Sequence, residues 1–179
     1  MPTVAAKHAI VVFPETDALE TIETLRRRYD PQASLLSAHI TLVFPFTAGP
    51  SAAALRSHVE QTLADVAPIE LRLAGVTAVD DEYVFLNVEA GRDRVIDLHS
   101  RLYTGPLAHH FSREHVYRPH ITLGRLSDHR ALAAALADAA AVAPAANAMV
   151  REVAVFRLDG PDRGETEFTI ALASRTNRA

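Results

Sequence analysis

The chain of 179 residues is long enough to bury a substantial core, either as one domain or as two small lobes that share an interface. Apolar residues make up 49% of it and charged residues 22%, as in ordinary globular proteins, and the absence of cysteine excludes disulfides, thiolate nucleophiles and sulfur-ligated metals. The net charge of −4 argues against non-specific binding along a nucleic-acid backbone, but it allows a small anionic substrate in a locally positive pocket.

In the first half of the chain, the apolar spacing predicts strands and helices in alternation. A buried β-branched strand ends at Pro14, and Thr16 or Asp17 is the expected cap of the helix that follows. The run Arg26-Arg27-Arg28 is interpreted as the solvent-facing side of this helix, with a basic rim that recruits RNA as the alternative. The predicted elements are a strand over residues 9–13, a helix through Tyr29, a strand over residues 38–46 and a helix capped by Ser51.

The second half predicts more strands than helices. Asp80-Asp81 supplies the turn of a β-hairpin, Gly105-Pro106 stops a helix, and Ser127 or Asp128 caps an alanine-rich helix. The predicted elements are strands over residues 69–79 and 83–89, a helix over 92–103, an irregular connection over 107–116, a strand over 117–126, the alanine-rich helix, and strands over about 149–158 and 165–173. This order favours an α+β layer architecture over a doubly wound parallel sheet.

One tetrapeptide, His-Ile-Thr-Leu, occurs twice, beginning at His39 and again 81 residues later at His120. Both copies lie in predicted strands, where residues i and i+2 point to the same side. Each histidine therefore shares a face with its threonine, Thr41 or Thr122, while the isoleucine and leucine of each copy face the core. The spacing is close to half the chain and indicates an internal duplication that builds one site from two halves.

Paired histidines and threonines match the needs of phosphodiester chemistry. One imidazole accepts a proton from the attacking oxygen and a second donates one to the leaving oxygen, and each transfer contributes about 10²–10⁴-fold in rate. The hydroxyls of Thr41 and Thr122 are donors that can bind the non-bridging phosphate oxygens. This scheme requires neither a metal nor an organic cofactor, and we predict none.

The two motif segments, AHITLVFPF and YRPHITLGRL, resemble the paired HxTx motifs of the two-histidine (2H) phosphoesterase superfamily of LigT-like and 2′-5′ RNA ligase-like proteins. The likeness includes Pro119 before the second histidine and Gly124-Arg125 after its leucine. It implies an α+β, bilobal, pseudo-two-fold arrangement of two antiparallel-rich sheets with outer helices around a central groove. Residues 1–179 would then form a single two-lobed phosphoesterase domain.

The resemblance also implies an activity. Members hydrolyse cyclic phosphodiesters, such as 2′,3′-cyclic nucleotides, cyclic-phosphate RNA ends or ADP-ribose cyclic phosphate, or they cleave and join 2′-5′ RNA linkages. The resemblance implies that His39 and His120 are the acid–base pair and that Thr41 and Thr122 bind the phosphate. The sequence leaves open the physiological substrate, the direction of the reaction, and which histidine is the acid.

Three further residues are candidates for substrate binding. Arg118 has the same parity as His120 and Thr122, so it is expected to face the groove and pair with a phosphate. Tyr117 and Phe13 are candidates for a wall on which a nucleobase stacks. The alternative without a role in binding is that Arg118 is a solvated surface residue and that Tyr117 and Phe13 belong to the core.

Two competing functions stay open. The first is a non-catalytic nucleotide- or RNA-binding module that uses the same groove, and the second is a metal-dependent hydrolase built on His109, His110 and His115. The expected partner is a nucleotide or short RNA, with no membrane and no obligate protein partner, and we expect a monomer. Without a signal-peptide pattern or a span of membrane length, a cytoplasmic location is predicted.

Overall fold

The computed structural model describes residues 6–47, 49–142 and 145–173. The helices and strands alternate in the first half of this part of the chain, and strands dominate its end. The elements are β1 Lys7–Val12, α1 Leu19–Tyr29, β2 Ile40–Phe46, α2 Ala52–Leu63, β3 Ile69–Val79, β4 Tyr83–Ala90, α3 Arg92–Leu102, a short 3₁₀ helix Gly105–His110, β5 His120–Arg125, α4 His129–Val142, β6 Ala146–Val150, β7 Glu152–Leu158 and β8 Gly164–Ala171.

The strands form two antiparallel four-stranded sheets. The first sheet has the order β2-β1-β7-β8 and the second has the order β5-β4-β3-β6. Helix α2 packs against the first sheet, α1 and α4 pack against the second, and α3 contacts both. The expected α+β fold of two antiparallel sheets with outer helices is therefore confirmed. Among the residues described above, no helix is long and apolar enough to cross a membrane.

One continuous apolar cluster joins the two sheets. It includes Ile10 and Leu42 of the first sheet and Leu73 and Leu86 of the second, and each of these side chains is at most 1% exposed. Burial of this kind is the main favourable term in folding. Because the cluster is shared, the position of each sheet depends on its packing against the other.

The predicted caps are right for two helices and wrong for the first. The hydroxyl of Ser51 accepts the N–H of Ala54 at the start of α2, and the carboxylate of Asp128 accepts the N–H of Ala131 at the start of α4.

Helix α1 begins only at Leu19, and its N-cap residue, Ala18, offers no side-chain bond. Thr16 instead forms a local turn, in which its hydroxyl accepts the Ala18 N–H, and it also donates to the carbonyl of Asn147. This local hydrogen bond competes with helix formation, which is why the helix starts later than predicted.

The β3–β4 hairpin has the predicted turn. Asp80 and Asp81 both have φ of +53°, and Val79 pairs directly with Tyr83 across them. Two successive residues in the left-handed region match the right-handed twist of the flanking strands, and aspartate tolerates this conformation better than most residues. The hairpin places β4 beside β5.

The predicted strand over residues 149–158 is wrong, because two strands occupy it. β6 ends at Val150 and pairs with β3 in the second sheet, whereas β7 begins at Glu152 and pairs with β1 in the first. Arg151 lies at the crossing, where its guanidinium contacts Glu15 at 3.0 Å and its carbonyl accepts the Leu172 N–H. The chain therefore changes sheets within a sequence that reads as one apolar run.

The connection predicted as irregular over residues 107–116 is irregular only in its second part. Its first part belongs to the 3₁₀ helix Gly105–His110, in which Leu107 is fully buried. The glycine and proline that stop α3 thus also begin this short helix, as proline is well suited to a first helical turn.

Candidate active site

The two His-Ile-Thr-Leu segments lie on equivalent edge strands. β2 is the edge of the first sheet and β5 is the edge of the second, next to β1 and β4 respectively. His39 immediately precedes β2 and His120 is the first residue of β5. Both strands thus begin later than the predicted positions 38 and 117, and each histidine lies where its strand starts.

Alternation along these strands separates the motif side chains as predicted. Ile40, Leu42, Ile121 and Leu123 are at most 1% exposed and belong to the core. The histidines and threonines lie on the opposite faces and are half-buried. Thr41 stands opposite Val11 of β1, and Thr122 stands opposite Phe85 of β4.

Both imidazoles are oriented by the same contact. Nδ1 of His39 lies 2.7 Å from the carbonyl oxygen of Ser37, and Nδ1 of His120 lies 2.6 Å from the carbonyl oxygen of Arg118. A carbonyl oxygen can only accept, so Nδ1 carries the proton and donates it in both rings. Each neutral imidazole therefore has its basic lone pair on Nε2.

A tyrosine links the two motifs. Tyr117, three residues before His120, donates its hydroxyl to the carbonyl oxygen of Thr41 at 2.8 Å. The charge of His120 is also among the causes that lower the pKa of His39, as expected for two imidazoles within electrostatic reach. The fold thus brings together histidines that are 81 residues apart in the sequence.

Burial makes both imidazoles harder to protonate. It lowers the pKa of His39 to about 4, and the nearby positive charges of Arg26 and His120 act in the same direction, while the Ser37 carbonyl and the Asp30 carboxylate act against it. Burial likewise lowers the pKa of His120, and the bond to the Arg118 carbonyl opposes this. An anionic ligand between the rings would favour their charged forms.

An aromatic ring lies against each imidazole, but the two geometries differ. Phe13 meets His39 edge-on, with ring centroids 6.5 Å apart and an interplanar angle of 66°. Phe85 stacks face to face on His120, at 3.5 Å and 16°. Phe85 is not among the residues predicted from the sequence, because its position beside the second motif depends on the register of β4 against β5.

Tyr117 occupies a structural position at the edge of β2. Its ring stacks in parallel on buried His99, with centroids 3.7 Å apart, and burial raises the pKa of its phenol. His99, which is also not among the residues predicted from the sequence, donates Nδ1–H to the Leu42 carbonyl at 2.7 Å. Tyr103 completes the row, as its hydroxyl accepts the Phe44 N–H at 3.0 Å. These side chains bind backbone groups at the edge of β2, which no other strand covers among the residues that the structure describes.

The two remaining sequence candidates stand at the rim of this region. The side chain of Arg118 is exposed, while its carbonyl orients His120. Phe13 is half-buried and packs with Leu36 against a small apolar cluster of Ala9, Val11 and Ala154. Beside His39, the first sheet therefore presents an apolar wall.

The interpretation of Arg26 as a solvent-facing residue is wrong. Its side chain is 1% exposed and binds Asp30 at 2.9 Å and Glu23 at 3.2 Å. Arg27 and Arg28 are exposed as predicted, and each pairs with a surface carboxylate. A guanidinium is buried where carboxylates can satisfy its forked donors, and here Glu23 in α1 and Asp30 just after its end both lie within four residues of Arg26.

The histidines of the connecting segment do not gather a ligand set in the described part of the chain. His109 and His110 are adjacent, with centroids 3.8 Å apart. Within residues 6–47, 49–142 and 145–173, no group of three or more histidine, cysteine, aspartate or glutamate side chains is arranged to hold a metal ion.

Known proteins share both sequence and architecture with this chain. The sequence model of the 2′-5′ RNA ligase superfamily matches residues 13–162. A Bacillus pumilus protein named "Putative phosphoesterase" is 30% identical over 126 residues, which are 68% of this chain and 72% of that protein. The crystal structure of E. coli LigT complexed with 3′-AMP aligns with a TM-score of 0.66 at 18% identity, covering 96% of this chain and 100% of that one. LigT complexed with NADP+ aligns at 0.62 and 19%, covering 94% and 99%.

Two antiparallel sheets with helices outside them define a LigT-like α+β fold. The chain belongs to the 2′-5′ RNA ligase superfamily, the two-histidine phosphoesterases, since the match extends over most of its length. The solved structures, at this level of identity, support the fold alone.

Proposed function

We propose that this protein is a metal-independent phosphoesterase in which His39 and His120 are the acid–base pair. The substrates would be cyclic phosphodiesters, such as 2′,3′-cyclic nucleotides, cyclic-phosphate RNA ends or ADP-ribose cyclic phosphate, or 2′-5′ linkages in RNA. The observation that carries the proposal is the matched orientation of the two rings. Each donates Nδ1–H to a carbonyl two residues earlier, at 2.7 and 2.6 Å, and so keeps Nε2 available for proton transfer.

The environments of the two rings favour different roles. Burial lowers the pKa of His39 to about 4, so this ring is held in its neutral, proton-accepting form. The face of Phe85, stacked at 3.5 Å on His120, favours the imidazolium form of that ring because the π electrons attract a cation. His39 is therefore assigned as the base and His120 as the acid for hydrolysis.

The proton transfers balance in a single displacement. Nε2 of His39 takes a proton from the attacking water as its oxygen bonds to phosphorus, and Nε2–H of His120 gives a proton to the departing ribose oxygen as the old P–O bond breaks. The product of a cyclic substrate is then a phosphomonoester. In the reverse direction, the ribose hydroxyl attacks phosphorus and gives its proton to Nε2 of His120, while water leaves with a proton from Nε2–H of His39.

The threonines would hold the phosphate during this displacement. Thr41 and Thr122 each share a strand face with their histidine, and both side chains are half-buried. Their hydroxyls are donors on rigid strands, so they are suited to bind non-bridging oxygens whose charge shifts in the transition state.

The rest of a nucleotide would extend over the rim. Arg118 is exposed next to His120 and offers a positive charge, and Phe13 with Leu36 offers an apolar surface beside His39. Tyr117 would contribute mainly through its bond to the Thr41 carbonyl. Crystal structures of E. coli LigT contain 3′-AMP and NADP+, which supports a nucleotide as the ligand class. The monomeric state and the cytoplasmic location stay predictions.

The decisive experiment is incubation with a panel of 2′,3′-cyclic nucleotides, ADP-ribose cyclic phosphate and 2′-5′-linked dinucleotides, in EDTA, with the position of the released phosphate identified. We expect turnover of at least one class and a loss of about 10²–10⁴-fold in kcat/KM for His39→Ala and for His120→Ala. Either variant retaining full activity while folded would refute the assignment. Saturable nucleotide binding without product would instead favour a non-catalytic binding module.

A further inference from the structure

A cluster of charged side chains on α1 faces the segment that enters β2. Arg26 is 1% exposed, and its Nη1 donates to Glu23 while its Nε and Nη2 both donate to Asp30. None of these three residues belongs to the proposed acid–base pair or to the residues proposed to bind the phosphate. Placing three ionised groups in this position has a desolvation cost, which their mutual contacts must offset.

The cluster also binds the backbone on either side of Ser37. Nη2 of Arg26 donates to the Leu36 carbonyl at 2.8 Å, and the N–H of Ala38 donates to Oε1 of Glu23 at 2.5 Å. The backbone of the residues just before His39 is therefore held by side chains of the helix, and not by a neighbouring strand.

The Ala38 N–H and the Ser37 carbonyl belong to the same peptide group. Because this group is planar and its N–H and C=O point in opposite directions, fixing the N–H also fixes the direction of the carbonyl. That carbonyl is the acceptor for Nδ1–H of His39. A peptide whose N–H binds a carboxylate is also polarised, which strengthens its oxygen as an acceptor.

We propose that Glu23 is a positioning residue of the active site, assisted by Arg26. Its carboxylate holds the Ser37–Ala38 peptide so that the Ser37 carbonyl selects the Nδ1-protonated tautomer of His39 and leaves Nε2 free for proton transfer. The catalytic part of this inference rests on the proposed function, whereas the tautomer selection does not.

The second half-site cannot use the same device, which makes it an internal reference. The carbonyl that accepts from His120 belongs to the peptide between Arg118 and Pro119, and a proline nitrogen carries no hydrogen. A change in Glu23 should therefore alter the tautomer of His39 and leave that of His120 as it is.

The test separates the reach of Glu23 from its charge. Glu23→Gln keeps an acceptor oxygen at the same distance but loses the charge, whereas Glu23→Asp keeps the charge but is one methylene too short. The tautomers of His39 and His120 are read from two-bond ¹H–¹⁵N spectra of the ¹⁵N-labelled protein. Glu20→Ala is the matched control, because it removes an exposed ion pair with Arg27 from the same helix.

We expect Glu23→Gln and Glu20→Ala to keep His39 protonated on Nδ1, and Glu23→Asp to give a mixture of tautomers at His39 alone. In the activity assay, Glu23→Asp should lower kcat about ten- to hundred-fold with little change in KM. Glu23→Gln should keep most of the wild-type kcat. Glu23→Asp with an unaltered His39 tautomer would overturn the proposal. The reverse order, an impaired Glu23→Gln and a normal Glu23→Asp, would also overturn it and assign the cluster to stability only.

The tautomer spectra can be recorded without turnover, so they show whether the proposed reaction or the proposed positioning role has failed. If the wild-type protein opens none of the tested phosphodiesters but Glu23→Asp still shifts the His39 tautomer, the proposed reaction fails and the positioning role stands. If turnover is found and the tautomer is insensitive to Glu23, the reaction stands and the positioning role fails. If Glu23→Asp does not fold, Glu23→Met, which leaves the Ala38 N–H without that acceptor and lacks the charge, serves as the second variant and must show the same tautomer mixture.

Discussion

The two half-sites present their histidines alike but surround them differently. Both imidazoles donate Nδ1–H to the carbonyl two residues earlier. Around His39 lie a buried arginine–carboxylate cluster and the edge of one phenyl ring, whereas a second phenyl ring stacks face to face on His120. The carbonyl two residues before each histidine thus orients both rings in the same way, whereas the groups packed around the two rings differ. A site for acid–base catalysis needs both features, since two identical imidazoles would compete for the same role.

The largest effect should come from testing whether the two roles differ. With a natural leaving group, both His39→Ala and His120→Ala should lose about 10²–10⁴-fold in kcat/KM. With an activated leaving group, such as 4-nitrophenol in a nucleoside phosphodiester, departure needs no proton, so His120→Ala should recover most of its rate and His39→Ala should not. The measurement is the ratio of the two substrates' kcat/KM for each variant. Equal recovery of both variants would show that the environments do not assign the roles.

The buried ion pairs of Arg26, which lie beside the first half-site, should contribute strongly to the free energy of unfolding. Arg26→Met leaves Asp30 and Glu23 without their partner, and breaking a buried ion pair in this way costs about 3–5 kcal/mol. Urea denaturation should report this loss in the free energy of unfolding. Arg27→Met is the matched control on the same helix, where the pair with Glu20 is exposed and its loss should leave the free energy of unfolding nearly unchanged. Equal stability of both variants would mean that the cluster is solvated in solution.

The two threonines should contribute equally to catalysis, in contrast to the two histidines, whose environments differ. Thr41 and Thr122 occupy equivalent positions, each two residues after its histidine on an edge strand. Thr41→Val and Thr122→Val keep the shape and remove one donor, and each should lower kcat by about 10²-fold if it binds the phosphate in the transition state. Unchanged kcat in one of them would limit phosphate binding to the other half-site.

The sequence predicted the part of the site that depends on local periodicity. The alternation of buried Ile40 and Leu42 with half-buried His39 and Thr41 follows from strand geometry alone, and the helix caps at Ser51 and Asp128 follow from side-chain chemistry. These features require no knowledge of which elements are neighbours in space.

The errors fall where tertiary contacts decide. The change of sheets at Arg151 is invisible in an apolar run, because both strands satisfy the same pattern. Arg26 was misread from its basic neighbours, although its spacing from Glu23 and Asp30 already matched helical ion pairs. Phe85 needed the register of β4 against β5, which the hairpin alone does not give.

The free energy of unfolding should depend on pH through His39. Burial lowers the pKa of His39 from an ordinary 6.5 to about 4 in the folded protein, so the unfolded chain binds more protons between these values. The contribution of the neutral, buried ring is fully present above pH 6.5 and is lost as the pH falls toward 4. A loss on the order of 1–3 kcal/mol is expected from denaturation at pH 7.5 and 5. His39→Gln should flatten this dependence; an equally steep curve in that variant would assign it to other groups.

The smallest effect concerns the ring that distinguishes the second half-site. Phe85→Leu keeps apolar bulk against His120 but removes the π face, which favours a cation by about 0.5–1 kcal/mol. The pKa of His120 should therefore fall further, and the alkaline limb of the kcat/KM profile, which reports loss of the acid's proton, should move to lower pH by several tenths of a unit. NMR titration of both imidazoles checks this, with His39 as the internal control because its own aromatic neighbour is Phe13. If the limb moves and the His120 titration does not, the acid in the reaction is a different group.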